Sequence, residues 1–332
     1  MLGTILTALA PEIVSKGAKY LYDVSGIGDM NFMGQPIGDY LSSERVSKAA
    51  AGILFPLYPW KNSENMVQLC LQGKVLFDNY LKNLNKKEQE KISYQKKNLI
   101  LLDENNEALN FYQKSKINFL SQKIDINNFE PCINYNLNDF IVVKDISCID
   151  TSNLMKYMEI ELKKANVQFI KKKINKTSEL KKFDHIIVCA GVWSKSITNK
   201  NISLYPIKGQ IIKVRSESQK VRNIILENGI YIMQRPDSIS IIGATVENVG
   251  FDLKKTEEAK KLLLDQYERR FDKNYTFLDH LVGFRPTTID NYPHIIKCND
   301  NPKIIYNFGH NRYGVLTSFA SAQIVYNLIN EN

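Results

Sequence analysis

The sequence predicts an α/β protein, α+β taken as a whole, in which an open parallel layer is interleaved with an antiparallel sheet. Three observations carry this. Between residues 141 and 191 short apolar strands alternate with a capped helix, the order of a parallel α/β layer. Between Leu204 and Ile242 the helical period disappears and β-type segments follow at short intervals, which an antiparallel sheet explains most simply. The two kinds of segment alternate twice along 332 residues, a length beyond which one hydrophobic core seldom keeps growing.

Taken in order, residues 1–41 offer no strand, glycine turn and helix in succession. Gly26-Ile27-Gly28 has Asn31 at the third glycine place, and Gly34 and Gly38 do not restore the spacing. The apolar run Ile5 to Ala10 has no cationic flank and stops at Pro11-Glu12, so a secretory leader is not expected. Ala49-Ala50-Ala51-Gly52 and Leu57-Tyr58-Pro59-Trp60 precede a helix predicted over 63–81. Residues 82–140 are polar and lysine-rich, with a strand-like piece at 99–102, and read as an insertion or second domain.

A strand is predicted at Ile141 to Val143. Asp150-Thr151-Ser152 caps a helix whose Leu154, Met155, Met158 and Leu162 recur at helical spacing. Strands follow at 167–170 and 185–189, the second ending at Ala190-Gly191. The antiparallel segments are 209–214, 229–233 and 238–242, and 256–271 is a charged amphipathic helix. A loop rich in Arg, Pro and Asp leads to a strand at 303–308, a turn at 309–314 and a closing helix over 315–329. The expected division is an atypical segment 1–41, one domain of 42–80, 141–204 and 283–332, and a second of 81–140 and 205–282.

A hydrophobic share of 44% and a charged share of 24% are those of an ordinary globular protein. The formal charge of +9 resides partly in runs such as Lys171 to Lys173 and Lys181-Lys182, which read as a solvated face rather than a nucleic-acid groove. Five scattered cysteines with no C-x-x-C pair fit a reduced, cytoplasmic setting. The four histidines show no metal-ligand spacing, and no stretch reaches the roughly eighteen apolar residues of a membrane span.

Three separated stretches carry a family resemblance. The first is Ser47-Lys48-Ala49-Ala50-Ala51-Gly52-Ile53-Leu54 with Pro56 to Trp60. The second is Phe183 to Ser194, followed by Pro206-Ile207-Lys208-Gly209-Gln210. The third combines Tyr231, Ile242 to Glu247, Gly250-Phe251-Asp252, Gly283-Phe284-Arg285-Pro286-Thr287-Thr288, Asp290, Pro293 and Gly309 to Leu316. In order and spacing these resemble the FAD-dependent D-amino-acid oxidase family, nearest to the glycine oxidases of thiamine biosynthesis.

The resemblance implies an FAD-binding Rossmann-like layer, incomplete at its N-terminus, interleaved with an antiparallel β-sheet substrate domain. It implies FAD as cofactor and oxidative deamination of glycine, sarcosine or a D-amino acid by hydride transfer, with dioxygen as acceptor. Arg285 then holds the substrate carboxylate, because a planar, always charged guanidinium makes two parallel hydrogen bonds to it. Tyr231 lines the same pocket. The residues expected at the cofactor are Val46, Ser47, Ala51, Gly52, Ile53, Ile174, Ala190, Gly191, His310, Asn311, Arg312, Tyr313, Gly314, Val315 and Leu316. His310 is not assigned as a general base.

Where the family has its phosphate-seating glycine loop this sequence has none, and Glu44 lies too close to Ser47 to serve as the ribose acid. Two alternatives stay open: a relative acting on a modified tRNA base, and a flavin-free remnant that binds a small carboxylate. The expected partners are a small amino acid or amine and dioxygen, with no membrane and no nucleic acid; homo-oligomer formation is left open.

Overall fold

The structure, a computed structural model, describes residues 49–102, 106–123, 125–134, 139–171, 174–198, 202–218 and 220–330, with backbone strands at 20–23, 31–32 and 35–36. The early strands are β1 (Tyr20–Asp23), β2 (Asn31–Phe32) and β3 (Gln35–Pro36). Helices α1 (Glu64–Asn83) and α2 (Lys86–Lys91) precede β4 (Gln95–Leu101), α3 (Asn106–Lys114), β5 (Phe119–Lys123) and β6 (Asp139–Cys148). Next come α4 (Thr151–Lys164), β7 (Gln168–Lys171), β8 (Ile186–Val188) and α5 (Ser194–Thr198). The run β9 (Leu204–Arg215), β10 (Ile224–Glu227), β11 (Ile230–Gln234) and β12 (Ile239–Gly243) leads to α6 (Glu257–Glu268) and β13 (Thr276–Thr288). The chain closes with β14 (His294–Cys298), β15 (Asn301–Phe308) and α7 (Ser318–Asn330).

The largest sheet has eight strands in the order β13-β9-β12-β11-β10-β4-β6-β5, antiparallel at every pairing except β10 with β4. A three-stranded sheet, β14-β15-β8, pairs β15 parallel to β8. β1 runs parallel to β7, with Tyr20 opposite Gln168. A mixed α/β architecture with a large, mostly antiparallel sheet is therefore present.

Alternation along the strands decides which side chains share a face. Tyr231 and Met233 of β11 point into a cluster with Ile211, Ile241, Ala51 and Tyr58, while Ile232 points to the opposite face. There Ile212, Val214 and Ile242 pack under α6 through Leu263 and Tyr267. Both faces of the sheet are thus covered. A third cluster joins Met66, Phe77 and Leu81 of α1 to Leu154 and Met158 of α4 and Phe319 of α7, the Phe77 and Phe319 rings lying 4.2 Å apart.

Four features depart from the sequence expectation. The strand predicted at 141–143 is part of β6 and sits in the large sheet rather than beside β7. Ile141 and Val143 face one core and Phe140 and Val142 the other, so the run reads as a strand buried on both sides in either sheet. A strand at 20–23 pairs with β7, although nothing in its four residues announces it. The stretch read as a loop holds β13, a thirteen-residue edge strand, and β14. Pro286 hides it, yet a proline is tolerated at a sheet edge, where it stands opposite Pro206. Val315 precedes the last helix, which begins at Ser318.

One polar contact ties the layers together. Asp150 caps α4, its Oδ1 accepting from the Asn153 amide at 2.9 Å, and its other oxygen pairs with Arg235 at the end of β11. The Arg235 side chain is only 9% exposed, so Asp150→Ala removes a cap and strands a cation. We expect a loss of about 3 to 5 kcal/mol in denaturant unfolding. The double variant Asp150→Leu with Arg235→Met should recover most of it, because an apolar pair carries no desolvation penalty.

Candidate active site

β9 and β13 run antiparallel with Gly209 opposite Gly283 and Ile207 opposite Arg285. The Arg285 guanidinium folds back over Gly209, where a Cβ would stand 2.3 Å from Nη2 and 2.6 Å from Cζ. Glycine is required here by the arginine. Nη1 donates to the Thr245 carbonyl at 2.9 Å and, at a longer 3.4 Å, to that of Lys208. Among the described residues no hydrogen bond leaves Nε or Nη2, and no carboxylate comes within ion-pair distance. Burial, and then the like charge of Arg312, lower the Arg285 pKa to about 10, while Tyr231 and Glu247 oppose the shift. The group stays charged at neutral pH.

Because the lining atom is the end of a flexible side chain, Gly209→Ala should fold normally and displace the guanidinium instead. A rise of about tenfold in the dissociation constant of a small carboxylate, with the thermal midpoint little changed, is the expected result. Calorimetric titration with acetate checks it.

Tyr231 lies across the sheet from Arg285 in a row that pairs Tyr231 with Gly243, Gly243 with Ile211 and Ile211 with Leu281. A Cβ on Gly243 would meet Ile211 Cγ2 at 2.4 Å and the Tyr231 hydroxyl at 3.0 Å, so the glycine makes room for the phenol. Burial pushes the Tyr231 pKa up to about 12, against the pull of Arg285, Arg235 and Arg312. The phenol is therefore a neutral donor in a positive field. Arg285 and Arg312 thus both act on the Tyr231 hydroxyl, as does Arg235.

Arg312 is carried by the turn between β15 and α7 and is exposed. An isolated β-bridge between Thr287 and His310 ties that turn to β13, two residues beyond Arg285. His310 is buried, with Nε2 at 2.8 Å from Asn307 Oδ1 and Nδ1 at 2.9 Å from Thr317 Oγ1. Burial lowers its pKa to about 3, so the ring is neutral and braces the turn. The Tyr313 hydroxyl donates to the Leu57 carbonyl at 2.9 Å, and Leu316 is in the core. The turn therefore presents Asn311, Arg312, Gly314 and Val315 on its less buried side.

Ala51, Gly52 and Ile53 lie along the end of β6. Ile53 bridges to Cys148, the Ile149 amide donates to the Gly52 carbonyl at 3.0 Å, and the Leu54 amide donates to that of Ser147 at 2.9 Å. Gly52 has φ +80°, and a Cβ there would stand 2.0 Å from the Ile149 carbonyl oxygen. The demand for glycine at this position thus comes from the protein's own backbone. Ala190 and Gly191 follow β8 at its carboxyl end, where open α/β sheets place ligands. Gly191 has φ +57° and open space in the Cβ direction. Ile174 turns its side chain into the core with Ile186 and Val188. Val46, Ser47 and the Gly26-Ile27-Gly28 stretch lie outside the described residues.

Sequence reasoning missed a polar cluster beside Arg285. Lys208 is 1% exposed and pairs with Glu247, which also accepts from Thr245 and Gln210. Both charges stood in the quoted stretches, but nothing in their spacing says that they meet.

The donor set suits a flat, anionic cofactor. Gly191 offers a backbone face free of side chain, and the nearest neighbour to a Cβ on Gly314 is His310 Cβ at 3.6 Å. Arg312 supplies a cation in the same turn as Gly314. Among the described residues no group of His, Cys, Asp or Glu is arranged to hold a metal ion, and no helix is long and apolar enough to cross a membrane.

Comparison with known proteins points the same way. The chain is 26% identical to glycine oxidase of Pseudomonas putida over 151 residues, 44% of this chain and 41% of that protein. It is 28% identical to the bifunctional protein ThiO/ThiG of a Nostoc species over 154 residues, 45% of this chain and 23% of that protein. These alignments span about two fifths or less of the relatives' length. The crystal structure of glycine oxidase from Geobacillus kaustophilus superposes with a TM-score of 0.78 at 19% identity, over 99% of this chain and 92% of that one. Iminodiacetate oxidase from Chelativorans sp. BNC1 gives 0.77 at 17% identity, with the same coverage. These two structures share the fold. The sequence pattern of the family described as DAO, FAD dependent oxidoreductase, matches residues 39–328, and the chain belongs to that family.

Proposed function

We propose that this protein oxidises a small amino acid or secondary amine such as glycine, sarcosine or a D-amino acid, with FAD as cofactor and dioxygen as acceptor. The observation that carries the reading is Arg285. Its charge is retained, its Nε and Nη2 donors are unused by the described residues, and its field reaches the Tyr231 hydroxyl. A guanidinium so placed suits a carboxylate, which takes two parallel hydrogen bonds from the fork and a third from the neutral phenol.

The same cations act on the other end of the substrate. Arg285 and Arg312 disfavour a further positive charge, so they hold the amine in the neutral form from which hydride can leave the α-carbon. When bound, FAD accepts the two electrons and passes them to dioxygen, giving hydrogen peroxide. The resulting imine takes up water and releases an oxo acid and ammonia or an amine. Residues assigned to the flavin are Ala51, Gly52, Ile53, Ile174, Ala190, Gly191 and the 310–316 turn, with Val46 and Ser47 ahead of them.

A place in thiamine thiazole synthesis is supported by the names of the partial relatives, glycine oxidase and ThiO/ThiG. Five cysteines, all free, support a reducing cytoplasmic setting. We read 42–80, 141–204 and 283–332 as the FAD-binding domain and 81–140 with 205–282 as the substrate domain. The test is a visible spectrum of the purified protein followed by peroxide assays with glycine, sarcosine and D-alanine. A colourless protein that takes up no added FAD would sink the proposal.

A further inference from the structure

We propose that the ion pair between buried Lys208 and half-buried Glu247 is a latch that aims Arg285 at the substrate carboxylate, which makes Glu247 a positioning residue. The inference rests on the reading of Arg285 given above. The two carbonyls that receive Arg285 Nη1 belong to Lys208 and Thr245. The Glu247 carboxylate holds both of those residues. Its Oε2 is 3.0 Å from Lys208 Nζ, and its Oε1 accepts from Thr245 Oγ1 at 2.5 Å.

The backbone repeats the connection. Lys208 and Glu247 exchange amide-to-carbonyl hydrogen bonds of 2.9 Å in both directions, so the Lys208 carbonyl serves Glu247 and Arg285 at once. Gln210 closes the cluster. Its Nε2 donates to Glu247 Oε1 at 2.8 Å, its backbone amide donates to Thr245 Oγ1 at 2.9 Å, and its Oε1 accepts from the Thr256 amide at 3.0 Å. Gly209, the floor beneath the guanidinium, sits between Lys208 and Gln210 in the chain.

An ion pair with a buried lysine and a partly exposed carboxylate adds little net stability, so its contribution here is positional. It also matters electrostatically. Lys208, 1% exposed, is neutralised by a carboxylate, and the net positive charge bearing on the ligand is left to Arg285 and Arg312. Without Glu247 the Lys208 ammonium is stranded and the two carbonyls lose their common anchor. Arg285 then keeps its charge but not its aim.

The experiment titrates FAD-saturated protein calorimetrically with acetate and, separately, with acetamide, using Glu247→Gln, Glu247→Asp and, as reference, Arg285→Met. Acetate affinity should fall about tenfold in Glu247→Gln, recover in part in Glu247→Asp, and be lost in Arg285→Met. Acetamide affinity should hold in Glu247→Gln, whereas a merely structural defect would weaken both ligands alike.

Acetate binding within about twofold of the parent in folded Glu247→Gln overturns the latch, as does equal weakening of both ligands. If Glu247→Gln does not fold, Thr245→Val removes one strut and should weaken acetate about threefold; no change overturns the proposal. If acetate binds Arg285→Met as it binds the parent, the assignment of Arg285 falls and the latch falls with it. Loss in Arg285→Met with retention in Glu247→Gln removes the latch alone.

Discussion

Arg285→Met should raise the Michaelis constant for an amino-acid substrate by about two orders of magnitude, the equivalent of roughly 3 kcal/mol of lost binding. The size follows from what the substitution leaves behind. A substrate carboxylate at this position would lose its charge partner and both parallel hydrogen bonds, keeping only the Tyr231 hydroxyl. Arg285→Lys should recover little, because an ammonium is a point donor and cannot reproduce the fork over Gly209. Turnover at saturation should fall less than the ratio kcat/KM, since the guanidinium holds the carboxylate and not the reacting carbon. Steady-state kinetics of peroxide release reads both quantities. An unchanged Michaelis constant in a folded variant would remove Arg285 from the substrate site.

Gly52→Ala should be among the most damaging single methyl additions in the described chain. The residue has φ +80°, which costs an alanine about 1 to 2 kcal/mol. Its Cβ would also enter the space of the Ile149 carbonyl, which is 2.0 Å away and is backbone, so relief requires the two segments to part. Parting them breaks the hydrogen bonds that join Gly52 to Ile149 and Leu54 to Ser147. A loss of about 3 kcal/mol or more is expected in thermal or denaturant unfolding. Flavin content should fall in parallel, because Ala51, Gly52 and Ile53 are assigned to the cofactor. Parent-like stability would mean that the 49–54 segment can move away from β6 at no cost. The contrast with Gly209→Ala is instructive: there the intruding methyl meets the end of a side chain, and binding changes while the fold does not.

Much of the architecture was legible because hydrophobic period and capping chemistry are local. Asp150 announced α4 and accepts the amide expected of a cap, while Thr256, read as the first residue of the charged helix, is in fact the cap of α6. β9, β11 and β12 appeared as apolar β-type runs. β13 was hidden by Arg285, Pro286 and the threonines around them, residues that an edge strand accepts because, apart from the Thr287–His310 bridge, its outer side pairs with no strand among the described residues. The polar content that carries the candidate chemistry is the same content that weakened the strand signal.

By itself the sequence determined the α/β class, the ordered stretches that carry family membership, and the choice of Arg285 and Tyr231, because residue chemistry and chain order are written in it directly. Only the tertiary structure decided that Arg285 lies over Gly209 on an edge strand, that His310 is a neutral brace, and that Lys208 and Glu247 meet beneath the guanidinium. These depend on strand register and burial. Register brings together residues far apart in sequence, and burial sets which charges persist; neither quantity belongs to any single stretch of chain.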